Sequence, residues 1–212
     1  MKTRSLLTGE RDMQTSCLDS DADFNAKNQQ VTRKTDHGDL SYVLDADNRI
    51  CRTKGPWDGF VLANLGPGGE GMEALAENVI GLSLNDFVQD EPTRMLLSAL
   101  ADSVRLLRWE RHLDYRCDSP TMKRFMQMKL EPGPLDTVIL THKLLRTEPI
   151  QPAFYVLTAS SGETARGRRC SLCNKVRIGD AWVEPDHNLA QRVPQPYAIK
   201  HTLCPICQHA IK

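Results

Sequence analysis

The chain has 212 residues, with 27 Lys and Arg balanced by 27 Asp and Glu, so its formal net charge is zero and it lacks the overall basic signature of a nucleic-acid binder. The length fits one large or two small domains, and no apolar run approaches the ~18–20 residues that span a bilayer. A soluble cytoplasmic protein without a membrane partner is expected, and in that reducing compartment the seven cysteines are expected as metal ligands or reduced thiols rather than disulfides.

Residues 1–39 are rich in Ser, Thr, Asp, Asn, Gln and Lys with isolated Leu6, Leu7 and Phe24. Such a segment cannot bury enough apolar surface to offset its ordering entropy, so disorder is expected. Lys2 and Arg4 have no apolar core behind them, so a signal peptide is not expected. From Leu40 the texture changes. Residues 41–52 read as strand, turn and strand, with Asp47-Asn48 at the turn. Trp57, Phe60 and Val61 have helical spacing, and Gly66-Pro67-Gly68-Gly69 ends that helix.

A second short helix is expected within 72–78, then a longer one over 91–107. Pro92 suits the first turn of the longer helix, and Met95, Leu96, Ala99, Leu100, Val104 and Leu107 form an apolar stripe. Three strands follow, at 108–117, 123–130 and 137–145. The turns Asp118-Ser119-Pro120 and Glu131-Pro132-Gly133-Pro134 between them are short enough to require antiparallel pairing. Residues 149–169 read as a linker that includes a short strand at 154–157.

The end of the chain carries the chemistry. Cys170-Ser171-Leu172-Cys173 and Cys204-Pro205-Ile206-Cys207 are two Cys-x-x-Cys pairs separated by thirty residues. Each such turn aims two thiolates at one ion, and two turns supply the four sulfur ligands of a closed structural zinc site. The gap leaves room for a hairpin and a short helix. Iron is the rival metal, because sulfur-only tetrahedral sites also hold iron. Arg166, Arg168, Arg169, Lys175 and Arg177 make this tail basic, which could recruit an anionic partner. Charge solubilising the tail is the plainer reading, since no recognition helix is evident.

The element order resembles a PAS domain over about 40–148. The residues that carry the resemblance are Val43 to Ile50, the Trp57/Phe60/Asn64 stretch, Ile80-Gly81-Leu82-Ser83, Asp86-Phe87 and the three closing strands. It implies an α+β fold: a PAS-like five-stranded antiparallel sheet with helices on one face, plus a small four-cysteine zinc module. Residues 170–212, with Trp182 and His201-Thr202-Leu203 before the second pair, resemble the cysteine module found at the ends of bacterial PAS-containing signal-transduction proteins. The resemblance implies a sensor or interaction domain that works through a protein partner or a homodimer.

Flavin-binding relatives carry a cysteine near the position of Asn85-Asp86-Phe87-Val88, and haem-binding relatives a histidine on the following helix. Neither is present here, so neither cofactor is expected. Gly66-x-Gly68-Gly69 has no Lys-Ser/Thr continuation and no catalytic set is evident, so no enzyme is expected. Cys51 and Cys117 read as small strand hydrophobes, Trp182 as packing over the metal turns, and His201 and His209 as surface or supporting groups. The expected function is therefore signalling or regulation by a PAS-like domain coupled to zinc bound by Cys170, Cys173, Cys204 and Cys207. The alternatives are a transcriptional regulator whose basic zinc module contacts nucleic acid, and a rubredoxin-like iron electron carrier.

Overall fold

A computed structural model describes residues 39–62, 75–88, 90–159 and 164–210. The expectations for residues 1–38, the Gly66–Gly69 loop and the start of the 72–78 helix lie outside the described residues. The described residues belong to one compact unit.

Strands β1 (Leu40–Leu44) and β2 (Ile50–Lys54) form the expected hairpin. Asp45 closes it: its Oδ1 accepts from the Asp47 and Arg49 amides at 2.9 and 2.8 Å, and Asn48 takes a φ of 59°, which a short polar side chain tolerates. Helices α1 (Trp57–Leu62) and α2 (Ala76–Val79) follow, then a 3-10 turn at Leu84–Phe87 capped by Ser83 and Asp86.

Helix α3 (Glu91–Leu107) starts at Asp90, whose side chain accepts from the Thr93 amide, with Pro92 in its first turn. Pro suits that position because its missing N–H has no intrahelical partner there. The helix buries Thr93, Leu97, Ala101 and Val104, a face rotated from the expected stripe, and Met95 and Leu107 are exposed. Residues four and three apart along that row stack on one side of the helix, and it is this row that meets the sheet. Arg108 ends the helix at φ 56°, so the next strand begins at 111 rather than 108.

Strands β3 (Arg111–Arg116), β4 (Met122–Pro132) and β5 (Val138–Pro149) complete a five-stranded sheet ordered β2-β1-β5-β4-β3, antiparallel throughout. Gly133 is required at the β4–β5 turn, because a Cβ there would lie 2.2 Å from Thr137 Oγ1. Side chains alternate between sheet faces. Tyr42, Leu44, Met128, Leu130, Val138 and Leu140 accordingly share one face, and they pack in one core with Val79, Leu84, Leu97, Ala101 and Val104 from the helical segments.

The second half is a mixed sheet ordered β6-β10-β7-β8-β9. Its strands are β6 (Val156–Thr158), β7 (Gly167–Cys170), β8 (Val176–Ile178), β9 (Ala181–Val183) and β10 (Tyr197–Thr202). The β8–β9 hairpin and helix α4 (His187–Arg192) occupy the gap between the cysteine pairs. The crossover through α4 lets β10 return parallel to both β6 and β7. Of the 149–169 stretch expected as a linker, Ile150 and Phe154 are buried with Val176, Leu189, Tyr197 and Ile199, and β6 belongs to this sheet. Helix α5 (Pro205–Ala210) ends the described chain. The fold is thus α+β with two sheets. Among the described residues no helix is long and apolar enough to cross a membrane.

Candidate functional site

The parallel pairing of β10 with β7 brings the two cysteine pairs together. Thr202 lies opposite Cys170, so both strands reach their Cys-x-x-Cys turns at the same level. The Ser171 amide donates to Thr202 O at 2.8 Å and fastens one turn to the other. In the first turn the Asn174 amide donates to Cys170 O at 3.0 Å and the Cys170 amide to Lys175 O at 2.9 Å. Asn174 itself turns the chain at φ 58°. In the second, Pro205 opens α5 and places Cys207 one turn on, where its amide donates to Cys204 Sγ at 3.4 Å.

The Sγ atoms of Cys170, Cys173, Cys204 and Cys207 all lie within 4.8 Å of one another. Four sulfurs held about 2.3 Å from one tetrahedral ion would stand about 3.8 Å apart, and Cys173 Sγ and Cys204 Sγ are 3.8 Å apart. Cys170 and Cys204 are buried, while Cys173 and Cys207 are half-buried. The hydrogen bond from Cys173 lowers the Cys170 thiol to about 4 against the opposing effect of burial, with help from the Cys204 amide. Burial and the neighbouring Cys170 charge push Cys207 up to about 12. Thiolates this close repel one another, and a cation among them is what allows several to be deprotonated together. A soft, four-sulfur, closed donor set of these dimensions fits a metal ion that prefers tetrahedral thiolate coordination. Trp182 packs against this cluster, as expected. His201 and His209 are not part of it. His201 sits on β10 with Nε2 3.3 Å from Thr158 Oγ1, and His209 is an exposed residue of α5.

The sulfur cluster is docked on the first sheet. The Arg116 amide donates to Leu172 O at 2.7 Å, and Asn174 Nδ2 donates back to Arg116 O at 3.1 Å. Leu172 and Leu203 pack with Leu96, Leu113 and Tyr115. Ser171 Oγ donates to Asp90 Oδ2, joining the knuckle to the N-terminus of α3.

Beside these contacts lies a buried ion cluster. Arg116 pairs with Asp118 and, at 2.6 Å, with Glu184, and Arg169 Nη2 lies 3.6 Å from the same Asp118 carboxylate. The Asp118 side chain is 0% exposed and those of Arg116 and Arg169 are 6% and 11% exposed. Burial lowers the pKa of the Arg169 guanidinium, and Asp118 opposes that shift. Burial also works against the charged form of Arg116, but its hydrogen bonds to the Asp118 and Glu184 carboxylates outweigh it and hold that guanidinium firmly charged. The run from Tyr115 to Asp118 is thus the joint between the two sheets.

Between the first sheet and its helices lies a cavity of about 460 Å³. Trp57, Leu97 and Met128 contribute to its apolar lining, and Ser171, Leu172, Asn174 and His201 wall it from the cysteine side. His142 on β5 lines it as well. Its Nδ1 lies 2.7 Å from the Tyr115 hydroxyl, and its ring stacks on Tyr42 at 5.3 Å. Its buried Nε2 has no hydrogen-bond partner. Burial lowers the His142 pKa to about 4, so the ring is neutral near pH 7. His142 belongs to no sequence motif. The signal that finds it is its phase, since it falls two residues after Leu140 and four after Val138, on the buried side of the strand.

Cys117 is packed beside Asp118 and burial raises its thiol pKa, while Cys51, partly exposed on β2, is disulfide-bonded, which corrects the expectation of a reduced strand thiol there. No known family model matches the sequence, and no curated protein matches it.

Proposed function

We propose that the chain is a non-enzymatic signalling or regulatory protein in which a PAS-like domain senses a small molecule and a zinc-binding module reports its presence. The observation that carries the reading is the shared cavity: helix, sheet and cysteine knuckle each supply part of one wall. The PAS reading is supported by the antiparallel sheet of two leading and three trailing strands, with the helices between them and packed on one face. Zinc at Cys170, Cys173, Cys204 and Cys207 is supported by the four-sulfur donor set and its spacing.

An occupant of the cavity touches the knuckle turn directly. The Ser171–Asp90 and Leu172–Arg116 hydrogen bonds then pass any shift to the surface of the second sheet, where a protein partner or a second copy reads it. A nucleic-acid role has less support, because Arg169 is buried against Asp118 and Arg177 is paired with Asp180 at 3.1 Å.

Hydrogen exchange on the full chain, zinc-loaded against chelator-stripped under reducing conditions, tests the coupling. Metal removal is expected to speed exchange beyond the cysteine module, in residues 91–97 and 111–116 around the cavity. A change confined to 164–210 would show that the two regions are uncoupled and sink the reading. Elemental analysis of the protein as isolated names the metal. Iron with a red-brown colour would replace zinc and favour electron transfer.

A further inference from the structure

Resting on the signalling reading above, we propose that the outward side of the second sheet docks an acidic segment of a protein partner, through a patch of cations carried by β10, β7 and β8.

Strand register places these cations. Lys200 on β10 lies opposite Arg168 on β7, Arg168 opposite Arg177 on β8, and Arg177 opposite Trp182 on β9. Residues directly opposite one another share a side of the sheet, and neighbouring strands lie about 4.8 Å apart. The three cations therefore form one row, with Trp182 at its end. Their chain neighbours point the other way, and there Ile199, Arg169 and Val176 are buried. Lys200 and Arg168 are exposed, and Arg177 is half-buried. Arg166, exposed and two residues before Arg168, extends the patch; its amide donates to Ala198 O at 2.9 Å, which keeps it in line with the strand.

Little within the protein answers this charge. Among the described residues Arg166, Arg168 and Lys200 take part in no ion pair, and Arg177 is met by the exposed Asp180 at 3.1 Å. Like charges directly opposite one another on a sheet repel, and a bound anion relieves that repulsion. The inner cations differ, since Arg116 and Arg169 are matched by Asp118 and Glu184. The inner set serves the joint between the sheets, and the outer set is left for a partner. The chain as a whole is neutral, so the patch is a local feature rather than a general excess of charge.

An acidic protein segment suits the patch better than nucleic acid. Side chains on one side of an extended segment recur about every 7 Å, so carboxylates at alternate residues meet cations one or two strands apart within the reach of Arg and Lys. Single-stranded nucleic acid is gripped by cations and stacking aromatic faces together. The aromatic residue of this row, Trp182, already packs against the sulfur cluster. Arg168 and Lys200 stand two residues before Cys170 and Thr202, where the two strands reach that cluster. The cluster thus fixes the spacing of the patch, and a partner held there reads the state of the cysteine module.

The test uses zinc-loaded full-length protein and fluorescence anisotropy with three labelled probes. These are a twelve-residue peptide of alternating Glu and Ser, its uncharged counterpart of alternating Gln and Ser, and an oligouridylate of charge matched to the acidic peptide. The acidic peptide is expected to bind about tenfold more tightly than the uncharged one, the sum of a few exposed ion pairs, and more tightly than the oligouridylate. Arg168→Glu, at the centre of the row, is expected to erase the preference, and Arg168→Lys to retain it. Arg192→Glu makes the same charge change at the end of α4, which packs through Leu189 on the buried side of the sheet, and is expected to leave the preference intact. Bound metal and protection of residues 164–210 against hydrogen exchange establish that each variant is folded.

Equal binding of the two peptides, no binding of either, or a loss in Arg192→Glu as large as in Arg168→Glu would each overturn the assignment. Tighter binding of the oligouridylate would overturn it too and give the patch to nucleic acid. The outcome separates from that of the coupling experiment. An Arg168-dependent preference for the acidic peptide, beside exchange changes confined to 164–210, leaves the docking surface standing and breaks the sensor coupling. Coupled exchange without peptide preference does the reverse.

Discussion

The two sheets are of similar strand number but are held together by different means. In the first, β4 and β5 run eleven and twelve residues, and their inner face joins Leu44, Ile50, Val104, Leu130, Val138 and Leu140 in one apolar core. In the second, three of the five strands have three residues, and the apolar core is limited to a few residues such as Phe154, Val176 and Ile199. Its remaining cohesion comes from four sulfurs, a buried ion cluster and hydrogen bonds to β3 and α3. Apolar burial is non-directional and accumulates with area, so the first sheet can stand on its own face. A small region with little area depends on directional bonds, and those bonds tie it to its neighbour.

The largest expected effect comes from breaking the sulfur cluster. Structural zinc, the metal proposed for this site, contributes on the order of 10–16 kcal/mol in small finger peptides. Cys204→Ser is expected to abolish metal binding and bring residues 164–210 to fast hydrogen exchange, while 122–132 and 138–149 stay protected. Protection that persists in 164–210 without metal would show that the apolar core of Ile150, Phe154 and Ile199 suffices. Loss of protection in β4 and β5 as well would erase the contrast between the sheets.

Next in size is Asp118→Asn. It leaves Arg116 and Arg169 buried side by side without the carboxylate between them, and breaking such a buried pair costs about 3–5 kcal/mol. The denaturation midpoint should fall accordingly. A loss under about 1 kcal/mol would mean that solvent or Glu184 takes over, and that the joint between the sheets is softer than its burial implies.

The smallest effect concerns the first sheet alone and depends on pH. His142 is held at about 4, below its ordinary 6.5, by burial. Between those values the unfolded chain binds a proton that the folded chain does not, so stability rises with pH across the window and falls on acidification. The depression is worth about 3 kcal/mol at most. Acid also protonates the thiolates, so the comparison is wild type against His142→Phe at matched metal content. Between pH 7 and pH 4 the wild type should lose more stability than the variant. Parallel curves would mean that the ring is protonated in place and not enclosed as its Nε2 indicates.

Local chemistry made much of this protein legible in its sequence. Pro92 and the apolar residues after it specify a helix at 91–107 because fixed φ and 3.6-residue periodicity act within a few residues. Asp47 and Asn48 mark the first hairpin for the same reason, and two Cys-x-x-Cys turns announce a four-sulfur site. Tertiary structure alone decided which face of that helix is buried, since Leu97 and Ala101 outcompeted Met95 and Leu107 only once a sheet lay beneath them. It also decided that β10 runs parallel to β7, that Ile150 and Phe154 belong to a core, that Arg116 and Asp118 join the two sheets, and that His142 lines a cavity. These depend on pairings between residues tens of positions apart. The free energy of such contacts resides in the partner surface, which no stretch of sequence carries by itself.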